Sequence, residues 1–360
     1  MLLHKKKPFL STIFPKRELD GRSPYMLYCI YEGKQAIPFK RHGTKTCRVF
    51  FANSNETDKG VPVLKLQKPV FKGVATALIT PMKGKGEIDF DALGRLIDWQ
   101  IACGVGGLVI AGTTGEGSTL SDEEHREVLK VAMQFARGRV PMIAGTGSND
   151  AAYAIDLSRY AEQLGYDALL LVAPYYNKAT QNGLVTMYRA IADATNTPII
   201  LYNVPSRTGV NIDPATYDAL GDHERIVAAK EASGSLSQLT ETFAKAGDRL
   251  DIYSGNDDQI FPVLAMGGIG VISVLSNVLP KETVEICRAF FEGNIEKSRT
   301  LQYELLPIIH ALFSEVNPIP VKAAMAKLGY GENVLRLPLT PLEKAHETKL
   351  FSLLSERGLF

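Results

Sequence analysis

No stretch of this 360-residue chain approaches the ~18 consecutive apolar residues that a membrane-crossing helix needs, so a transmembrane helix is excluded. Cysteine is scarce: Cys29, Cys47, Cys103 and Cys287 lie far apart and form no CxxC pair. Neither a zinc site nor a disulfide framework is indicated, and a reducing, cytoplasmic setting suits the chain. No GxGxxG follows the first strand candidate, which weighs against a dinucleotide-binding turn. Excess positive charge is also missing where it would matter. The formal net charge is +1, but residues 1–70 hold 14 basic and 5 acidic side chains, leaving 26 basic and 34 acidic in residues 71–360. A body with a net charge of −8 has an ordinary surface and gives no support for nucleic-acid binding.

Regular periodicity is missing from the first 70 residues too. Lys5-Lys6-Lys7, Arg17 and Phe50-Phe51 are scattered among Gly and Pro with no sustained period of 2 or 3.6. The three lysines are not followed by an apolar segment of the length a secretory signal requires. An organelle-targeting segment would be basic and poor in acids, as this one is, but also rich in Ser, which it is not. The expectation is a poorly ordered or non-native extension over 1–69, with the domain beginning near Lys68-Pro69-Val70.

From Gly73 the pattern changes. Short Val/Ile/Leu/Ala runs at 73–80, 107–112, 141–145, 168–173, 198–203, 226–231, 250–254 and 270–274 are apolar on both faces, as parallel strands covered by helices are. Amphipathic stretches at 89–102, 121–137, 150–164 and 181–194 separate them, and Ser121 with Glu124 has capping-box spacing. Eight such strands in about 200 residues predict a (β/α)8 barrel over 70–290, with the doubly wound sheet as rival. Further helical stretches at 281–291, 294–312, 320–328 and 341–355 exceed what an eighth barrel helix needs, so a C-terminal helical extension is expected over 291–360.

In such a barrel the chemistry lies at the C-terminal ends of the strands. The strand at 226–231 ends in Lys230. Alternation places Ala228 and Lys230 on one face and Val227 and Ala229 on the other. An inward Lys above a small Ala has room to meet a substrate, and burial there favours the neutral amine that attacks carbonyls. Most lysines simply reach solvent, so the other strand ends must decide. Gly112-Thr113-Thr114-Gly115-Glu116 sets two hydroxyls between glycines, able to hold a carboxylate or to serve as a plain capped turn. Tyr202 shares parity with Ile200 and can point inward, and Arg207 follows in a Pro/Gly-bounded loop suited to gripping a carboxylate. Pro174-Tyr175-Tyr176-Asn177 offers tandem tyrosines suited to a subunit contact. Ser254-Gly255-Asn256-Asp257 suits a helix cap by Asn256 or Asp257, and the strand through Ile272 offers backbone groups to the pocket. A barrel Lys, a phenol and a carboxylate-binding turn together favour imine chemistry on a 2-keto acid.

These motifs, with Lys230-Glu231-Ala232 and Asn317-Pro318-Ile319-Pro320-Val321-Lys322, closely resemble those of the dihydrodipicolinate synthase family in order and spacing over roughly residues 70–355. The resemblance implies a lyase that condenses pyruvate with L-aspartate 4-semialdehyde at the head of the diaminopimelate route to lysine. It implies Lys230 as the Schiff-base residue and Tyr202 as proton donor and acceptor. Thr113 and Tyr176 would complete a proton relay, Tyr176 across a dimer interface. Thr114, Ile272 and Gly255 would hold pyruvate, and Arg207 the semialdehyde carboxylate. It further implies a homotetramer built as a dimer of dimers, with no metal and no organic cofactor. Sister aldolases such as N-acetylneuraminate lyase share the Lys and Tyr. Arg207 and the Thr113-Thr114 pair favour the synthase over them, and the intact Lys230, Tyr202, Thr113 and Tyr176 favour it over an inactive binding barrel. In lysine-sensitive relatives an Asn and a Glu one helical turn apart help grip the inhibitor. Here Asn149 is present but Tyr153 stands at the Glu position, with His125 and Tyr175 matching other parts of that site. Weak or absent inhibition by lysine is the resulting expectation.

Overall fold

The computed structural model describes residues 68–360. The expectations for the N-terminal extension, including Cys29 and Cys47, lie outside the described residues but for Lys68 and Pro69. Apart from a two-stranded antiparallel sheet of Met82–Lys83 and Glu87–Ile88 ahead of the first helix, the main elements of the described chain alternate strand and helix: β1 (Gly73–Ala77), α1 (Phe90–Ala102), β2 (Gly107–Ile110), α2 (Asp122–Ala136), β3 (Met142–Gly145), α3 (Ala151–Gln163), β4 (Ala168–Val172), α4 (Gln181–Asp193), β5 (Ile199–Asn203), α5 (Pro214–Leu220), β6 (Ile226–Glu231), α6 (Leu236–Ala246), β7 (Asp251–Ser254), α7 (Ile260–Ala265), β8 (Gly270–Ser273) and α8 (Pro280–Phe291). The eight numbered strands pair in parallel with their sequence neighbours, and β1 pairs with both β2 and β8, closing a (β/α)8 barrel. Closure excludes the doubly wound sheet, whose edges stay open. Three more helices, α9 (Ile295–Leu312), α10 (Ile319–Lys327) and α11 (Lys344–Glu356), follow α8. None of the described helices is long and apolar enough to cross a membrane.

The two-sided apolar strands divide into two nested cores. Ala75, Val109, Ile143, Leu170, Ile200, Ala228 and Ile272 fill the barrel interior. Val74, Leu108, Met142, Leu171, Leu201, Ala229 and Val271 pack outward under the helices. Period-2 alternation sends successive side chains of one strand to different cores. Phe71 plugs the end where β1 begins, stacking on Tyr253 at 4.1 Å between ring centroids, while the Tyr253 hydroxyl donates to the Phe71 carbonyl at 2.7 Å. Where β1 meets β8 the backbones come very close: a Cβ on Gly270 would lie 1.9 Å from the Gly73 oxygen.

One expectation about β6 fails. Val227 packs with the inner set, not with outward Ala229. The register explains it: Ile199 faces Ile226 but Ile200 faces Ala228, so Val227 is an unpaired extra residue and leaves the alternation. Helix α2 has the capping box its sequence promises, Ser121 Oγ accepting from the Glu124 N–H and the Glu124 carboxylate from the Ser121 N–H. The sequence pattern did not mark α5, α6 or α7; α5 and α7 have too few turns to display a period.

Candidate active site

Beyond the irregularity, β5 and β6 pair cleanly, and Tyr202 faces Lys230 across the ladder. Both side chains point inward above Ala228 and are buried, Lys230 at 5% and Tyr202 at 6% exposure. The Lys230 Nζ lies 4.1 Å from the centroid of the Tyr202 ring. The ring face accommodates the amine in either charge state and attracts the ammonium.

The next residue on each strand points outward and ties the two ends together. Glu231 accepts from the Tyr217 hydroxyl at 2.9 Å, from Asn203 Nδ2 at 3.1 Å and from the Ser233 N–H at 2.7 Å. Asn203 Oδ1 in turn accepts from the Ile212 N–H at 3.0 Å. Burial first, and then the neighbouring Glu231 charge, push the Tyr217 phenol well above its usual range, so it remains a neutral donor. Sequence reasoning missed this buried network. Its signal was the pair Tyr202-Asn203 beside Lys230-Glu231, where each inward group precedes a polar outward one.

The turn after β2 carries Thr113, half-buried, and Thr114, buried. Its backbone is left-handed at Ala111 (φ 54°) and Glu116 (φ 53°), a conformation costly for residues other than Gly. Contacts from distant segments hold it. Thr80 Oγ1 donates to the Gly115 carbonyl at 2.7 Å, and Asn317 Nδ2 donates to Thr114 Oγ1 at 3.0 Å. The Glu116 carboxylate forms a buried ion pair with Lys322 and accepts from the Arg336 N–H at 3.2 Å. Because α2 is capped by Ser121 and Glu124 further along, a carboxylate bound here must take its donors from the turn itself.

Arg207, an exposed residue, sits in a one-turn helix, Pro205–Thr208, and donates one Nη2 hydrogen to the Asn317 carbonyl at 3.0 Å. Ile272 lies on β8 in the inner core. The Gly255 N–H donates to the Glu231 carbonyl at 2.7 Å, and a Cβ there would meet that of Ala232 at 2.6 Å. The expected cap by Asn256 or Asp257 is not made. Asp257 instead turns its carboxylate to the Val274 and Leu275 N–H groups, at 3.0 and 2.8 Å, and so pins the end of β8.

Tyr176 stands apart from the others. It is 90% exposed and its φ is 70°. Near it, Asn149 Nδ2 donates to the Tyr175 carbonyl at 3.2 Å, and Asn177 Nδ2 to the Asn149 carbonyl at 2.9 Å. His125 is buried with Nε2 at 3.0 Å from the Gly145 carbonyl oxygen. Tyr153 packs partly buried, its phenol pushed up to about 12 by burial and by its hydrogen bond to Asp122. Asp122 is itself paired with Arg126 at 2.8 Å. The structure thus gathers Lys230 with Tyr202 and links Thr114 to Arg207 through Asn317. Asn149, Tyr175 and Asn177 form a separate cluster. Among the described residues, three potential metal ligands converge only at Glu315, Glu343 and His346, in the C-terminal region and not at the strand ends.

A sequence profile of the dihydrodipicolinate synthetase family matches residues 70–357. The chain is 50% identical over 291 residues to a protein of Caldicellulosiruptor saccharolyticus named 4-hydroxy-tetrahydrodipicolinate synthase, an alignment covering 81% of this chain and 98% of the relative. The crystal structure of dihydrodipicolinate synthase from Thermotoga maritima superposes with a TM-score of 0.79 at 42% identity, covering 81% of this chain and 100% of the other. The corresponding enzyme of Cyanidioschyzon merolae, solved with lysine bound, superposes with a TM-score of 0.79 at 37% identity, covering 81% and 100%.

Proposed function

The chain belongs to the dihydrodipicolinate synthetase family, and on that footing we propose that Lys230 is the residue on which it condenses pyruvate with L-aspartate 4-semialdehyde to give 4-hydroxy-tetrahydrodipicolinate. The observation that carries the assignment is the Tyr202–Lys230 rung, which sets an amine 4.1 Å from a phenol ring inside the barrel.

The neutral Lys230 amine attacks the keto carbon of pyruvate, and loss of water leaves an iminium. The iminium draws electrons, so the neighbouring methyl carbon gives up a proton and becomes an enamine carbon. That carbon attacks the aldehyde carbon of the semialdehyde, and the alkoxide formed takes up a proton. The amino group of the second substrate then attacks the iminium carbon, closing the ring and returning the Lys230 amine. Tyr202 gives and takes the protons of these steps, with Thr113 and Tyr176 as its relay. Thr114, the backbone at Ile272 and Gly255 hold pyruvate, and Arg207 grips the carboxylate of the semialdehyde. The covalent imine is the electron sink, so the reaction calls for no organic cofactor or metal.

An aromatic as exposed as Tyr176, held in a left-handed backbone conformation, serves better in a neighbouring subunit's site than alone in solvent. The working form is therefore a homo-oligomer, a tetramer built as a dimer of dimers. Unpaired Cys103 and Cys287 suit the reducing cytoplasm. At the regulatory position Tyr153 supplies no carboxylate and Asp122 is already engaged by Arg126 and Tyr153, so lysine finds a poor grip.

The deciding experiment is an assay of pyruvate with aspartate semialdehyde beside pyruvate with N-acetylmannosamine. Turnover is expected with the first pair, and turnover confined to the second would reverse the choice. Borohydride should trap pyruvate on Lys230, and Lys230→Ala should lose both the adduct and the activity.

A further inference from the structure

Asn317 lies in the segment between α9 and α10, buried at 5% exposure. It touches two strand-end loops at once. Its side-chain Nδ2 donates to Thr114 Oγ1 at 3.0 Å across 203 residues of sequence, and its backbone oxygen accepts from Arg207 Nη2 at 3.0 Å across 110. Its own Oδ1 is buried without a hydrogen-bond partner, so the bond to Thr114 is what orients the amide.

We propose that Asn317 is a positioning residue for substrate recognition, directing the Thr114 hydroxyl proton toward the pyruvate carboxylate and anchoring Arg207 for the carboxylate of the second substrate. The inference rests on the roles proposed above for Thr114 and Arg207. A hydroxyl has one proton and two lone pairs. With an amide N–H aimed at its oxygen, Thr114 cannot spend its proton on Asn317 and keeps it for an acceptor in the pocket. An anionic carboxylate is the strongest acceptor on offer there. The anchor on Arg207 is of the same kind. A long exposed side chain loses considerable rotamer freedom when it grips a ligand. A hydrogen bond from one Nη2 hydrogen restricts it beforehand and still leaves one two-donor edge of the guanidinium, Nε–Nη2 or Nη1–Nη2, for a carboxylate. One buried residue thereby links the two carboxylate-binding groups, which explains why a C-terminal segment far away in sequence reaches into the barrel's open end.

The test is a double-substitution cycle on the full chain, read as the pyruvate concentration that half-saturates borohydride-trapped adduct on Lys230. Asn317→Ala and Thr114→Val should each raise it by about tenfold, the scale of one hydrogen bond to a charged group. Because Asn317 acts through Thr114, the double variant should be no worse than Thr114→Val alone. A merely structural role would instead lower adduct yield and thermal midpoint together and would persist in the Thr114→Val background. If the alanine variant does not fold, Asn317→Ser enters the same cycle. Additive effects, or a half-saturation within twofold of the parent for the Asn317 variant, would overturn the inference. The parent's adduct separates the two readings: its absence refutes the proposed function, whereas its presence with additive effects refutes only the role of Asn317.

Discussion

Lys322 of α10 reaches the carboxylate of Glu116 in the turn after β2, and both side chains are 1% exposed. The pair bridges 206 residues of sequence and locks the C-terminal helices onto a turn that is left-handed at Glu116. Two buried charges tolerate each other's presence far better than either tolerates being alone. Replacing one partner, as Glu116→Gln or Lys322→Met, should therefore cost about 3–5 kcal/mol of stability. The double replacement should recover most of that loss in urea unfolding. If the double variant lost the sum of both single effects, the two residues would not be energetically coupled.

The fold should also weaken in mild acid, and His125 identifies one cause. Burial holds its imidazole below the usual 6.5, against weaker opposing pulls from the Gly145 carbonyl and the Asp122 charge, with Arg126 acting in the same direction as burial. The unfolded chain then binds a proton that the folded chain resists. Stability contributed by the neutral ring is complete above about pH 6.5 and is lost as pH falls from there toward the folded value. Thermal midpoints taken between about pH 7.5 and pH 5.5 should fall more steeply for the parent than for His125→Gln. Parallel slopes would acquit His125.

The role proposed for Tyr176 would tie activity to association. If it completes a neighbour's proton relay, Tyr176→Phe should reduce kcat by about a hundredfold or more while the pyruvate adduct on Lys230 still forms. Dilution of the parent to the point where sedimentation shows monomers should depress specific activity in step. Constant specific activity across dissociation would remove Tyr176 from a cross-subunit role.

Lysine should be a weak inhibitor. A carboxylate that pairs with a buried ammonium contributes on the order of 2–5 kcal/mol, and Tyr153 offers none. A lysine titration in the synthase assay is expected to show little effect below millimolar concentration, and Tyr153→Glu to increase sensitivity. Half-inhibition of the parent at sub-millimolar lysine would contradict the assignment.

What was legible in the sequence followed from periodicity and from strand ends. The eight apolar runs marked the barrel strands closely, because parallel strands buried on both faces leave a continuous signature. The inward parity of Ile200, Tyr202, Ala228 and Lys230 was equally visible, since alternation is a property of the backbone. Val227 was not, because an unpaired residue is visible only once the partner strand is in place. The contacts of Asn317, Lys322 and Arg336 with the turn after β2 were hidden for a related reason: they join segments some 200 residues apart, and no local pattern encodes such a meeting. Asp257 looked like an ordinary cap, and only the fold reveals that its acceptor oxygen serves the backbone after β8.

The rung shared by Tyr202 and Lys230 has an implication for how such an enzyme can change. Their separation is an interstrand spacing, about 4.8 Å, that main-chain hydrogen bonds maintain whatever the loops do. Arg207 and Thr114, by contrast, stand on loops braced by side chains from elsewhere. On the proposed roles, the imine-forming pair is thus built into the scaffold, while the grip on the second substrate's carboxylate, at Arg207, rests on a loop that can be remodelled separately. A descendant could exchange its aldehyde without first having to rebuild its nucleophile.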